Sequence, residues 1–161
     1  MISIKSHCLW FLLCLISLPI SALAGPVILV DQGHGQQFFT SKTGPLDLSG
    51  LASLFTAEGA TITISDGPLT TKSLAAVDIL IISGPFFPIT EPEIKAITAF
   101  INQGGKMAIM AHIASPLMPL LYQLEIAISS APIYEQQNML NKNGRDFLVT
   151  HLKDNPLTQE M

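Results

Sequence analysis

Four short apolar runs constrain this chain more than any other feature: VILV at Val27–Val30, TITIS at Thr61–Ser65, DILIIS at Asp78–Ser83 and KMAIMA at Lys106–Ala111. Short runs rich in Ile and Val, bounded by turn residues, read as strands buried on both faces. The segments between them carry helical spacing. Leu46–Glu58 places Leu48, Leu51 and Phe55 on one face and closes at Gly59. Thr90–Glu93, TEPE, has the form of a capping box, and the helix it opens aligns Ile94, Ile97 and Ile101 before stopping at Gly104 and Gly105. Ser115 and Pro116 begin a further helix, and Asp146–His151, DFLVTH, reads as a fifth strand. Alternation of this kind predicts an α/β domain: an open, mostly parallel sheet with helices on both faces.

The N-terminus bears on compartment. Lys5 precedes the apolar run LWFLLCLISLPI at Leu9–Ile20, and SALAG at Ser21–Gly25 supplies the small residues of a signal-peptidase site, so residues 1–24 read as a secretory signal peptide cut after Ala24. Residues 25–161 are then the mature chain and form a single domain, expected in the periplasm or outside the cell. Both cysteines, Cys8 and Cys14, fall inside the leader, which leaves the mature chain without thiol or disulfide. No later segment reads as membrane-spanning. The NPLTQEM end, Asn155–Met161, reads as a loop entering further structure. The formal net charge is −4 with Lys5 counted and −5 without it, and the charges form no runs. Neither nucleic acid nor an anionic membrane surface is an expected partner.

In an open parallel sheet, ligands bind beyond the carboxyl ends of the strands. The sequence places Asp31 and His34 after strand one, Ser65 and Asp66 after strand two, Ser83 and Gly84 after strand three, His112 after strand four and His151 at the end of strand five, so that the three mature histidines meet at one rim. The loop DQGHGQ after the first strand holds most of the candidate chemistry. Asp31 ends a buried strand, where an unpaired carboxylate is costly, and is expected to bond loop N–H groups around Gly33–Gln36. Gly33 and Gly35 are expected to supply positive φ for the turn. His34 and Gln36 are then the side chains presented at the rim, so Asp31→Ala is expected to lower stability and His34→Ala to leave it nearly unchanged. Phe38, Phe39, Phe86 and Phe87 are read as folding back over the core rather than forming an aromatic floor for a sugar. Ser115, followed by Pro at a helix start, is read as a plain N-cap.

Two families carry something similar to the DQGHG loop. DQGHG resembles the DPGHG signature of zinc-dependent N-acetylmuramoyl-L-alanine amidases, and that resemblance implies His34 as a metal ligand. The segment offers Asp47 where such enzymes supply a Glu, and ISGPFF has no His for a further ligand; zinc catalysis takes about three protein ligands and an open position. The second resemblance covers Val27 to about Leu157. DILIISGPFFPITEPEIKAITAFINQGGKMAIM, Asp78–Met110, resembles the core of class I glutamine-amidotransferase-like domains, with their flavodoxin-like sheet. The D.GHGQ.F loop followed by LSGLASLFTAEGATITI is similar to a bacterial exported family of that fold, related to periplasmic domains of gliding-type ABC transport systems. True amidotransferases hold a nucleophilic Cys directly after the strand that here is Lys106–Ala111, where this chain reads Ala111-His112-Ile113. The resemblance therefore implies a non-catalytic binding domain with no cofactor and no assigned metal. It places a ligand contact at His112 and backbone N–H groups at Ser83 and Gly84, beside the ligand contacts His34 and Gln36 that the loop itself presents. The ligand it implies is small and polar or saccharide-like, or a periplasmic partner protein; the alternative is a metal-assisted hydrolase using His34.

Overall fold

The apolar runs become β1 (Val27–Asp31), β2 (Thr61–Ser65), β3 (Ile79–Ser83) and β4 (Lys106–Met110). This is a computed structural model, and it describes residues 25–111, 115–129 and 133–153. The expected signal peptide, residues 1–24, and the expected loop at Asn155–Met161 lie outside the described residues. The four strands pair in parallel in the order β2-β1-β3-β4. Because successive side chains of a strand point to opposite faces, the continuous runs serve two cores at once. Ile28, Val30 and Ile81 face one side, where Leu48 and Phe55 of α1 (Ser49–Ala57) and its N-terminal approach pack on them. Leu29, Leu80 and Ile82 face the other, under α2 (Thr71–Leu74), α3 (Glu91–Asn102) and α4 (Met118–Gln123). The result is an open α/β fold with helices on both faces of an all-parallel sheet.

α3 forms where the capping signal places it. Glu91 and Glu93 stand in its first turn, Pro92 sits where a missing N–H costs nothing, and the stripe Ile94, Ile97 and Phe100 is buried against the sheet. The strand order gives this helix its functional position. From β1 the chain crosses to β2 on one side and returns to β3 on the other, so the switch point, where an open parallel sheet has its crevice, lies between the ends of β1 and β3. In sheets of this type that crevice is the ligand-binding place.

The described chain departs from expectation after α4. No fifth strand joins the sheet at Asp146–His151. Instead β5 (Met139–Leu140) and β6 (Asn143–Phe147) form a separate antiparallel pair. The cause is a two-residue turn: Asn141 and Lys142 both take positive φ, 52° and 58°, the conformation of a tight hairpin turn. His151 follows this hairpin, exposed, and ends no strand of the main sheet. The helix begun at Ser115 starts as a 3-10 turn, Ser115–Leu117, before α4.

Candidate functional site

The site grows from Asp31, the last residue of β1, whose side chain is fully buried. A carboxylate there has to be satisfied by its surroundings. Its Oδ1 accepts the Gly33 N–H at 3.1 Å, and its Oδ2 accepts the Gln36 side-chain amide at 2.5 Å. The loop DQGHGQ thus folds around Asp31 as its sequence implies. The two glycines serve different ends. Gly35 has φ +72°, and a Cβ there would meet the Phe87 ring at 3.0 Å. Gly33 does not have the expected positive φ; it is glycine because a Cβ would lie 2.6 Å from the Gly67 carbonyl oxygen, so the loops after β1 and β2 pass backbone to backbone.

His34 is not presented at the rim. It is 5% exposed, with Nδ1 2.8 Å from Asp31 Oδ2 and Nε2 3.0 Å from Glu93 Oε1. Gln36 is 3% exposed, with its side-chain oxygen accepting the His34 N–H at 2.8 Å. The expectation of exposed side chains fails for a physical reason: two carboxylates enter this crevice, and the imidazole and the carboxamide are the donors that satisfy them. Glu93 is the residue sequence reading missed. Its Oε2 accepts the Thr90 N–H at 2.9 Å and the Thr90 hydroxyl at 2.5 Å, completing the capping box. Its Oε1 accepts the Leu69 N–H at 2.9 Å beside the imidazole. A capping Glu is legible in TEPE; that its other oxygen reaches His34 depends on tertiary packing.

Both ring nitrogens face carboxylates, so both contacts are favourable only when both carry protons and the ring is an imidazolium. The pKa of His34 is accordingly raised above its ordinary 6.5, chiefly by the hydrogen bond to Asp31. Burial opposes this, while the charges of Asp31 and Glu93 and the bond to Glu93 add to it. For Glu93 burial is the largest influence and pushes upward, yet the bonds from Thr90 and Leu69 and the charge of His34 outweigh it and hold the carboxyl below 4.5.

The loop after β3 is tied to the same clasp. The Phe86 and Phe87 N–H groups both donate to the His34 carbonyl, at 2.8 and 2.9 Å. Ser83 is buried, and the Gly84 N–H donates to the Met110 carbonyl at 2.8 Å, so the Gly84 donor expected to face a ligand is spent inside the sheet. Asp47, the other acidic candidate, staples its own loop by accepting the Phe39 and Gly44 N–H groups. His112 lies outside the described residues. Among the described residues no group of three or more His, Cys, Asp or Glu is arranged to hold a metal ion. Phe38 and Phe39 are half-buried, whereas Phe86 and Phe87 are 43% and 63% exposed and do not fold over the core as expected.

No protein-family model and no curated protein matches this chain. Among solved structures it is similar to one titled mmIFT52 N-terminal domain, at 20% identity and a TM-score of 0.47, over 53% of this chain and 35% of that one. The chain thus spans about a third of that structure's length. The assignment of the fold rests on the strand order and register.

Proposed function

We propose that the chain is an exported recognition module that binds a small polar or saccharide-like ligand, or a partner protein, at the strand-end rim without covalent chemistry. One observation carries this reading. The groups able to do acid–base work, Asp31, His34 and Glu93, are bonded to one another below the surface, while the aromatic pair beside them is turned outward. Phe87 is held ready for contact: its N–H is bonded to the His34 carbonyl and its ring lies against Gly35. An aromatic ring fixed before binding loses little freedom on contact, and its apolar face suits the apolar face of a sugar ring. Residues 25–161 hold no Cys, so the thiol chemistry of amidotransferases has no counterpart. The hydrolase alternative requires one ring nitrogen of His34 to leave its carboxylate before it can ligate an ion, the other nitrogen keeping its partner. Among the described residues no helix is long and apolar enough to cross a membrane.

The test titrates the protein with N-acetylglucosamine oligomers and, in parallel, cross-links a photoreactive group at position 87 inside the producing cell. Saturable binding of one of them, weakened at least about tenfold in Phe87→Ala, is the expected result, since aromatic contacts contribute about 0.5–1.5 kcal/mol beyond the area they bury. Stoichiometric zinc that disappears in His34→Ala, together with cleavage of a cell-wall amide, would overturn the reading in favour of the hydrolase.

A further inference from the structure

The clasp joins four parts of the chain through one imidazole. Asp31 ends β1, the Leu69 N–H belongs to the connection after β2, Glu93 and Thr90 belong to the start of α3, and the Phe86–Phe87 turn follows β3. These parts meet at the switch point between β1 and β3, where the crevice of an open parallel sheet lies and where the two loops are here bonded to each other. We infer that the Asp31–His34–Glu93 clasp is a proton-operated latch that keeps this crevice shut while the imidazole is doubly protonated and releases the Phe86–Phe87 loop when one proton leaves.

The argument rests on the geometry of donors. A doubly protonated ring gives each carboxylate a donor. A neutral ring keeps one, so whichever tautomer forms, a ring lone pair faces a buried carboxylate oxygen at about hydrogen-bond distance, and the repulsion has no solvent to screen it. The groups facing the ring do not relieve this. β1 contributes Asp31, α3 contributes Glu93, and the remaining neighbours on the loops are neutral: Gln36 and the Leu69 N–H. Lys95, the cation on α3, pairs at the surface with Glu91 instead. Relief comes from movement of His34. Its carbonyl is the acceptor for Phe86 and Phe87, and its own N–H is the donor to Gln36, so its displacement undoes the turn on both sides of the crevice. The central strands do not share in the change, because Leu80 and Ile82 are held by apolar burial on the α3 face. The latch works whichever ligand the rim binds.

The test uses residues 25–161 and protons alone. Nitrogen NMR of the His34 ring should show both nitrogens protonated at pH 6. Above the folded pKa the clasp should weaken by up to about tenfold per pH unit. Hydrogen exchange, expressed as protection factors so that the intrinsic pH effect is removed, should then fall at least about tenfold at Gly33, Phe86 and Phe87 by pH 9, with Leu80 and Ile82 unchanged. In Glu93→Gln, which removes one of the two charges favouring the imidazolium, the onset should move to lower pH. A neutral ring at pH 6, protection at Phe86 and Phe87 that is flat through the ring's titration, or loss of protection spread equally over the central strands would each overturn the latch. If Glu93→Gln does not fold, the wild-type ring titration and its exchange profile decide between these outcomes.

Discussion

The side chain of His34 makes two ion pairs inside the fold, and truncating it leaves two buried carboxylates whose other described partners are neutral. Breaking a buried ion pair by removing one member costs about 3–5 kcal/mol, mostly the penalty of the charge left behind. His34→Ala is therefore expected to destabilise the domain by at least about 3 kcal/mol in urea unfolding, comparable with Asp31→Ala. Equality of the two losses would mark the imidazole as a structural group. A loss under about 0.5 kcal/mol, the range of ordinary surface substitutions, would mean the ring is not buried between carboxylates. The same loop offers a second check. Gly35→Ala forces a side chain into left-handed backbone, at about 1–2 kcal/mol, and pushes against the Phe87 ring at 3.0 Å. It should lower the melting temperature and also weaken whatever binding Phe87 supports. At this scale the sequence was legible only in part. That Asp31 would organise DQGHGQ follows from a carboxylate at the end of a buried strand. That His34 would point inward does not follow, because its second partner lies 59 residues away and DQGHGQ contains no sign of it.

α3 shows which elements sequence reading captures well. Thr90, Glu93 and the Ile94–Ile97–Ile101 stripe specify start, phase and buried face through contacts within a few residues, and the helix forms where they say. The four strands are similarly legible as elements, but the burial on both faces expected of all four holds only for β1 and β3; β2 and β4 stand at the sheet edges and keep their residues half-buried or exposed. DFLVTH carries the same composition without the same outcome: the Asn141–Lys142 turn pairs its first residues with β5 before they can join the sheet. Local turn chemistry prevailed there over apolar content. The capping box also has two separable duties. Thr90→Ala removes the hydroxyl that bonds Glu93 but leaves the backbone N–H in place, and should cost about 1 kcal/mol, as caps usually do. Glu93→Gln keeps the shape but removes the charge facing His34, and should cost more than Thr90→Ala when both are measured by denaturant unfolding near pH 6. If the two losses were equal, Glu93 would act only as a cap. Ile97, fully buried on the inner face of this helix, gives the packing scale: Ile97→Ala should cost about 2–5 kcal/mol.

For the whole molecule, these two titrating groups set opposite limbs of a stability profile. His34 has a folded pKa above its ordinary 6.5, so its contribution is complete below that value and declines as pH rises through the folded pKa. Glu93 has a folded pKa below 4.5, so its contribution is complete above that value and declines as pH falls through the folded pKa. Stability should thus be highest between the two ordinary values, about pH 4.5 to 6.5. Melting temperature followed in calorimetry from pH 3 to 9 should rise, level and fall across these limits. The variants assign the limbs. His34→Gln removes the alkaline fall, because no group in the clasp then releases a proton in that range. Glu93→Gln flattens the acid limb and moves the alkaline one to lower pH. Salt separates this origin from general surface charge: residues 25–161 carry a formal −5, and repulsion among exposed charges is screened within about 8 Å at physiological ionic strength. An alkaline fall that persists in 0.5 M salt belongs to the buried clasp, whereas one that vanishes in salt and survives in His34→Gln would place the pH dependence on the surface and leave the imidazole without a thermodynamic role.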